Sequence, residues 1–289
     1  MPKVSVIMGI YNCASTLQEA LDSLYAQTFQ DFEIILCDDG SKDNTYEVAQ
    51  ENLRHHDNIV LLRNEQNLGL NATLNKCLAA AKGEYIARMD GDDISLLTRF
   101  EKQVNFLDEH PEYAVVSAPM IHFDENGVLF KGTVKEGIAD KHVFNYGSPF
   151  CHAPSMLRRD VFNDVEGYTI HPRLLRIEDY DLWRRVYEKG YIGYNLGEHL
   201  YMMRDDKNAF KRRTLRARCN GIYAHWLAYR GLGLSFWLFC RYSVIVLLLG
   251  VMPQPLYKFL RGLKNKELEN NCYVREGIQR DFCDLLNRH

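Results

Sequence analysis

The sequence predicts an α/β domain built on a mixed, mainly parallel sheet flanked by helices, followed by a helical C-terminal extension. Three observations predict it. Short apolar, β-rich runs alternate with amphipathic segments over roughly the first 115 residues. Polar or acidic clusters close three of those runs, at Tyr11-Asn12, Asp38-Asp39 and Asp90-Gly91-Asp92-Asp93. Past residue 210 the composition turns basic and then strongly apolar.

The elements follow in order. Residues 4–10 read as a strand, and Ser15 with Gln18 three places on reads as a helix N-cap. Leu17, Leu21, Leu24 and Tyr25 stripe that helix. Residues 32–37 form the next strand, and a helix starts near Asn44. Residues 59–62 are a third strand. Leu70, Leu74, Cys77, Leu78 and Ala81 stripe a third helix that Gly83 would close. Residues 85–89 are a fourth strand, and Phe100, Val104 and Leu107 mark another helix. The pattern then changes. Asp124-Glu125-Asn126-Gly127 reads as a hairpin turn. Residues 156–157, 191–196 and 200–203 read as short strands, and a helix through Leu182, Trp183 and Val186 would be capped by Gly190.

With 289 residues, 46% hydrophobic and 25% charged, the composition is that of a globular chain and not a disordered one. A net charge of −3 excludes a chain-wide polyanion binder, so nucleic acid is not an expected partner. The eight cysteines are scattered with no Cys-x-x-Cys pair, which points to a reducing compartment and not to a zinc site or disulfide framework. The N-terminal residues lack a signal-peptide run, so a cytosolic N-terminus is expected. In the tail, Lys211, Arg212, Arg213, Arg216 and Arg218 precede the apolar stretch 236–252, which holds Arg241. That stretch is at the lower edge of spanning length, and an arginine inside a span is costly. An interfacial helix pair is favoured over a packing helix, a dimer surface or a true span.

Ligands bind at the carboxyl ends of parallel strands, so clusters from three strands define a candidate site. Asp90, Asp92 and Asp93 crowd carboxylates that repel unless a cation compensates. Mg²⁺ and Mn²⁺ bind one or two carboxylates and complete their shell with substrate phosphates. An acidic turn or helix cap is the plainer alternative for this motif, and for Asp38-Asp39 as well.

The run from Val4 to Asn12, Asp38-Asp39-Gly40-Ser41 with Asp43, Asn67 with Gly69, Gly83-Glu84-Tyr85-Ile86 and Asp90-Gly91-Asp92-Asp93, all in order, resembles the family 2 inverting glycosyltransferases of GT-A fold. The likeness covers nearly all of residues 1–110 and continues more loosely through Cys151-His152, Gly167-Tyr168 and Glu178-Asp179. The resemblance implies a donor half at 1–115, an acceptor half at 116–210 and an extension at 211–289. It implies that Asp39 meets the base of a nucleoside-diphosphate sugar, typically uracil, with Tyr11 on the ring and Ile10 lining the pocket. Asn12, Asp38, Asn67, Gly69, Asn71, Arg88, Gly91, His152, Glu178 and Arg204 fall in segments that contact the donor in such enzymes. Asp92 would be the principal ligand of Mn²⁺ or Mg²⁺, with Asp90 near the ribose or the metal. Asp179 would be the catalytic base, although acids at that place also suit a helix start. A histidine common after the family's arginine is absent beyond Arg204, where Asp205-Asp206-Lys207 follows. A glycan or lipid-linked acceptor is implied, at the inner face of the plasma membrane. Peripheral membrane contact through 211–260 and a homodimer are both left open. A Mg²⁺-dependent phosphohydrolase would leave Tyr11 and Asp38-Asp39 unexplained, and a non-catalytic scaffold would not need the intact acids.

Overall fold

The computed structural model describes residues 1–205 and 214–251. The basic run 211–213, Lys207 and everything from 252 onward lie outside the described residues. The first half alternates as predicted: β1 (Val4–Ile10), α1 (Leu17–Tyr25), β2 (Phe32–Asp38), α2 (Thr45–His55), β3 (Ile59–Arg63), α3 (Leu70–Ala80), β4 (Tyr85–Arg88), then β5 (Ile94–Ser95) and α4 (Arg99–Glu109). The second half holds β6 (Val115–Ser117), β7 (Met120–Asp124), β8 (Gly127–Lys131), β9 (Gly137–Ile138), a 3₁₀ turn (Lys141–Asn145), β10 (Met156–Arg158), α5 (Arg159–Asp164), α6 (Glu178–Glu188), β11 (Gly193–Asn195) and β12 (Tyr201–Arg204). Two helices close the described chain, α7 (Leu215–Leu232) and α8 (Phe236–Val251).

The main sheet has eight strands in the order β3-β2-β1-β4-β10-β6-β11-β9. Strands β1 to β4 are mutually parallel, whereas β10 runs antiparallel to both neighbours. The parallel strands are mainly apolar because both sheet faces are covered. Strand alternation splits the core. Val6, Met8, Ile10, Ile34 and Leu36 pack with α1 and α4 through Leu21 and Phe100. Ile7, Ile35, Cys37 and Ile86 pack on the opposite face with α3 and α6 through Leu74 and Trp183. A second sheet, β5-β12-β7-β8, covers one end and was not predicted.

Three local expectations are corrected or met. The Ser15 cap does not form: α1 begins at Leu17 after Thr16, and no side chain caps it. The Cys13 carbonyl instead takes the amides of Thr16 and Leu17 at 3.0 and 2.9 Å. Gly83 does not close α3, which ends at Ala80; a Cβ on Gly83 would lie 2.5 Å from the Ser5 amide nitrogen, so this glycine serves a close backbone approach. Gly190 ends α6 as predicted, at φ +86°, with its amide on the Tyr187 carbonyl and the Tyr191 amide on that of Val186.

Helix α7 packs on α6, with His225 buried against Tyr180. Helix α8 packs on α7 and leaves Trp237, Val244, Ile245 and Leu248 exposed. Among the described residues no helix is long and apolar enough to cross a membrane.

Candidate active site

The carboxyl ends of β1, β2 and β4 lie side by side, and their loops are laced together. Asn12, held at φ +49°, donates its amide to Ser41 Oγ at 3.0 Å and accepts the Lys42 amide on Oδ1 at 2.9 Å. Thr45 Oγ1 takes the Cys13 amide at 2.8 Å, and Thr16 Oγ1 donates to the Gly91 carbonyl at 3.0 Å. These contacts frame a cleft of about 330 Å³ lined by Tyr11, Asn12, Asp90, Gly91, Asp92 and Arg204, among others. Six of the sequence-predicted residues thus meet in one place. Tyr11 presents 43% of its surface there.

The acidic loop divides its labour. Asp93 turns inward, where it accepts the Tyr201 hydroxyl at 2.9 Å and the Arg204 amide at 2.8 Å. This follows from β5 pairing with β12 directly after the loop, Ile94 opposite Met202. Asp90 accepts Arg88 Nη2 at 2.7 Å. Asp92 stands at the surface of the cleft, its carboxylate without a side-chain partner among the described residues. Crowding by the cleft walls, and then the charge of Asp90, push the Asp92 carboxyl above its usual range. Among the described residues no group of three or more His, Cys, Asp or Glu side chains could cage a metal alone. A free carboxylate with a second beside it fits an Mg²⁺ or Mn²⁺ ion whose other ligands are phosphate oxygens and water.

Arg88 ties this loop to the far side of the site. It is nearly buried, its Nε has no partner, and it feels the charges of both Asp90 and Glu178. Glu178 and Asp179, both half-buried, open the first turn of α6. Burial raises the pKa of Asp179, and burial followed by the Asp179 charge raises that of Glu178. Two other groups nearby are silenced. His152 pairs through Nε2 with the Tyr168 hydroxyl at 2.9 Å and stands edge-on to Trp183. Burial, then Arg88, hold its imidazole neutral. Burial and the Asp179 charge push the Cys151 thiol up to about 11, so it stays protonated at neutral pH.

Other predicted residues lie outside that cleft or brace its walls. Ile10 is fully buried in the core and does not line the cleft. Asp38 is fully buried on the α1 face, accepting the Ser41 amide at 3.2 Å and pairing with Arg63 Nε at 3.2 Å. Asp39, on the opposite face, is not a free carboxylate. It accepts the amides of Leu68 at 2.8 Å and Gly69 at 3.0 Å and Asn64 Nδ2 at 2.9 Å, and so holds the loop that carries Asn67. Asn67 is exposed outside the cleft. Asn71 donates to the Thr169 carbonyl at 2.8 Å and lines a different groove. Arg204 braces the acidic loop: Nε donates to the Asp92 carbonyl at 2.9 Å, Nη2 pairs with Glu19, and the guanidinium lies over Phe123.

Three supporting residues were missed. Arg99, fully buried in α4, donates from Nη2 to the carbonyls of Arg88 at 2.9 Å and Ala153 at 3.2 Å, joining the acidic strand to the His152 segment. Its i,i+4 partner Gln103 on an apolar helix face was the legible sign. Asp181 anchors α6 through Arg184, Arg185 and Thr169, and its i+3 and i+4 arginines were equally readable. Tyr201 carried no sign, since its role depends on a contact across 108 residues.

Residues 5–166 match the family model described as glycosyl transferase family 2. The chain belongs to glycosyl transferase family 2. Among its relatives is a protein of Bacillus subtilis named as a glycosyltransferase, EpsE, 47% identical over 214 residues, covering 74% of this chain and 77% of the relative. The UDP-Gal:α-D-GlcNAc-diphosphoundecaprenol β-1,3-galactosyltransferase of Escherichia coli is 30% identical over 241 residues, 81% and 86% of the two chains. Among solved structures, S. aureus TarS with UDP-GlcNAc matches at TM-score 0.67 and 19% identity, covering 85% of this chain and 71% of that one. A mannosyltransferase of Pyrobaculum calidifontis with GDP-Man and Mn²⁺ matches at TM-score 0.61 and 18% identity, over 92% and 81%. At these identities the structural likeness speaks for the shared GT-A fold. The family 2 chain is a glycosyltransferase of polysaccharide or glycan biosynthesis.

Proposed function

We propose that this glycosyltransferase moves a sugar from a UDP-sugar to the hydroxyl of a lipid-linked glycan, with metal assistance and inversion. The observation that carries the reading is the cleft that gathers Tyr11, Asp90 and Asp92 at the strand ends, with Arg88 paired to Asp90 at 2.7 Å and lending its charge to the half-buried Asp179. Residues 1–115 hold the donor and residues 116–210 supply the acceptor side. Asp92, with Asp90 beside it, holds the divalent ion against the donor diphosphate. The bound ion supplies Lewis-acid stabilisation of the departing nucleoside diphosphate. Tyr11 offers its ring to the base. Asp179 takes the proton of the acceptor hydroxyl as that oxygen bonds to the anomeric carbon and the bond to the diphosphate breaks. A single displacement inverts the centre. A raised pKa suits this task, because a base is most effective when its pKa approaches the working pH. Neutral His152, already paired with Tyr168, orients the wall and leaves the proton to Asp179.

The uridine preference is supported by the nucleotide in the TarS complex and the donor named for the E. coli relative, and the metal by the Mn²⁺ in the mannosyltransferase complex. The lipid-linked acceptor is supported by the diphosphoundecaprenol in that relative's name. The exposed apolar side of α8 supports a peripheral seat on the inner face of the plasma membrane. A melting series with UDP, GDP and their sugars, with and without Mn²⁺, tests the reading, since a ligand bound to the fold raises its melting temperature. A rise only with UDP species and metal is expected. Failure of every nucleotide would refute it, and release of inorganic phosphate without sugar transfer would move the site to the phosphohydrolases.

A further inference from the structure

We propose that the groove between the first turns of α3 and α7 and the segment 170–176 binds the diphosphate and first isoprenoid units of a polyprenyl-diphosphate acceptor, delivering its sugar to Asp179. The inference rests on the lipid-linked reading above and assigns that acceptor a place. The groove has a volume of about 480 Å³ and shares no lining residue with the cleft of Tyr11 and Asp92. Its chemistry has two parts. Leu68, Ile170 and Leu175 line it and expose 53%, 67% and 60% of their surface, an apolar patch that water covers badly. Arg176 and Arg216 line it too; no acidic residue does, and neither arginine has an ion-pair partner among the described residues. Planar guanidinium groups without counter-ions suit a diphosphate, and the aliphatic wall suits the hydrocarbon joined to it. A lipid-free glycan would satisfy neither part.

The groove is fixed in relation to the reaction. Asn71 pins α3 to Thr169, while His171 stacks on Tyr223 of α7 and Arg173 lies over the same ring. Arg176 holds a left-handed φ of +67°, a conformation a non-glycine residue keeps only where its surroundings impose it. It stands three residues before Asp179, so the two backbones are separated by at most roughly 10 Å. That is the scale of a pyranose with its anomeric diphosphate. An acceptor held by Arg176 therefore has its sugar hydroxyls within reach of the base.

Calorimetric titration of farnesyl diphosphate into the full chain saturated with UDP and Mn²⁺ tests the assignment. The wild type should bind it more tightly than it binds farnesol or inorganic pyrophosphate. The double variant Arg176→Glu, Arg216→Glu should weaken binding by about tenfold or more, with UDP affinity and melting temperature unchanged. Leu175→Asp should weaken farnesyl diphosphate and not pyrophosphate. Arg176→Gln, a milder change, should give a partial loss if charge reversal disturbs folding. Equal binding by wild type and both arginine variants, or pyrophosphate binding as tight as the farnesyl ester, overturns the proposal. If UDP binds and farnesyl diphosphate does not, the groove assignment alone falls; if UDP itself fails to bind, the reading beneath it falls too.

Discussion

Replacing Asp179 by Asn separates catalysis from architecture at one atom. The amide keeps the shape of the carboxylate at the head of α6. It cannot take a proton from an attacking hydroxyl. General-base assistance contributes about 10²- to 10⁴-fold, so turnover should drop by that factor, or roughly 3–5.5 kcal/mol of barrier. UDP affinity should stay level, because the cleft at Asp92 does not include this residue. Stability should move the opposite way from activity. Burial raises the Asp179 pKa on folding, so the native state binds its proton more tightly than the unfolded chain does. Stability then falls as pH climbs from the unfolded value, about 3.9, through the raised folded one. The amide carries no charge and removes that cost. Single-turnover release of UDP, nucleotide titration and a melting curve at pH 7 read all three effects. A variant within about threefold of wild-type turnover would refute the base assignment. One that melts well below wild type would show a structural role instead.

Other substitutions test the remaining parts. Asp92→Ala should abolish Mn²⁺-dependent UDP binding by calorimetry yet melt no lower than wild type, because desolvation and the repulsion of Asp90 outweigh the attraction of Arg204 and Arg88. Tyr201→Phe leaves buried Asp93 without its hydroxyl donor and should cost about 1–3 kcal/mol in urea unfolding. Asp39→Asn cannot accept from Asn64, Leu68 and Gly69 alike, so it should loosen residues 64–69, seen as faster amide exchange there, and destabilise the fold by a similar about 1–3 kcal/mol. Unchanged exchange at Leu68 and Gly69 would count against that role.

The first half was legible because its strands are buried on both faces. Val4–Ile10 and Phe32–Asp38 are mostly apolar, broken only by Ser5, Glu33 and the terminal Asp38, and their ends fall on turn formers. The second half was harder. Ile94–Ser95 and Gly137–Ile138 are too short to show a period, and their partners lie far along the chain. At the site, residue type was readable and direction was not. Asp38 and Asp39 are chemically alike, but strand alternation sends one into each face of the sheet. Asp92 and Asp93 differ only through β12, a strand whose contact with the acidic loop no local pattern announces. Ser15 resembled a cap because the Cys13 carbonyl, which starts the turn instead, is invisible in a pattern of side chains.

The reversed direction of β10 has a consequence for how such enzymes diversify. Because β10 runs against β4, Met156 pairs with Ala87, and the chain arrives beside the acidic strand from outside the sheet. Residues 118–155 leave the sheet after β6 and re-enter it at β10, two hydrogen-bonded neighbours, and on the way supply β7 and β8 to the second sheet and β9 to the far edge of the main one. A segment whose ends are adjacent can be exchanged between homologues, hairpin included, without re-registering the donor-side strands. Chimaeras cut at those two points would leave the strands that lead to Tyr11 and Asp90 as they are.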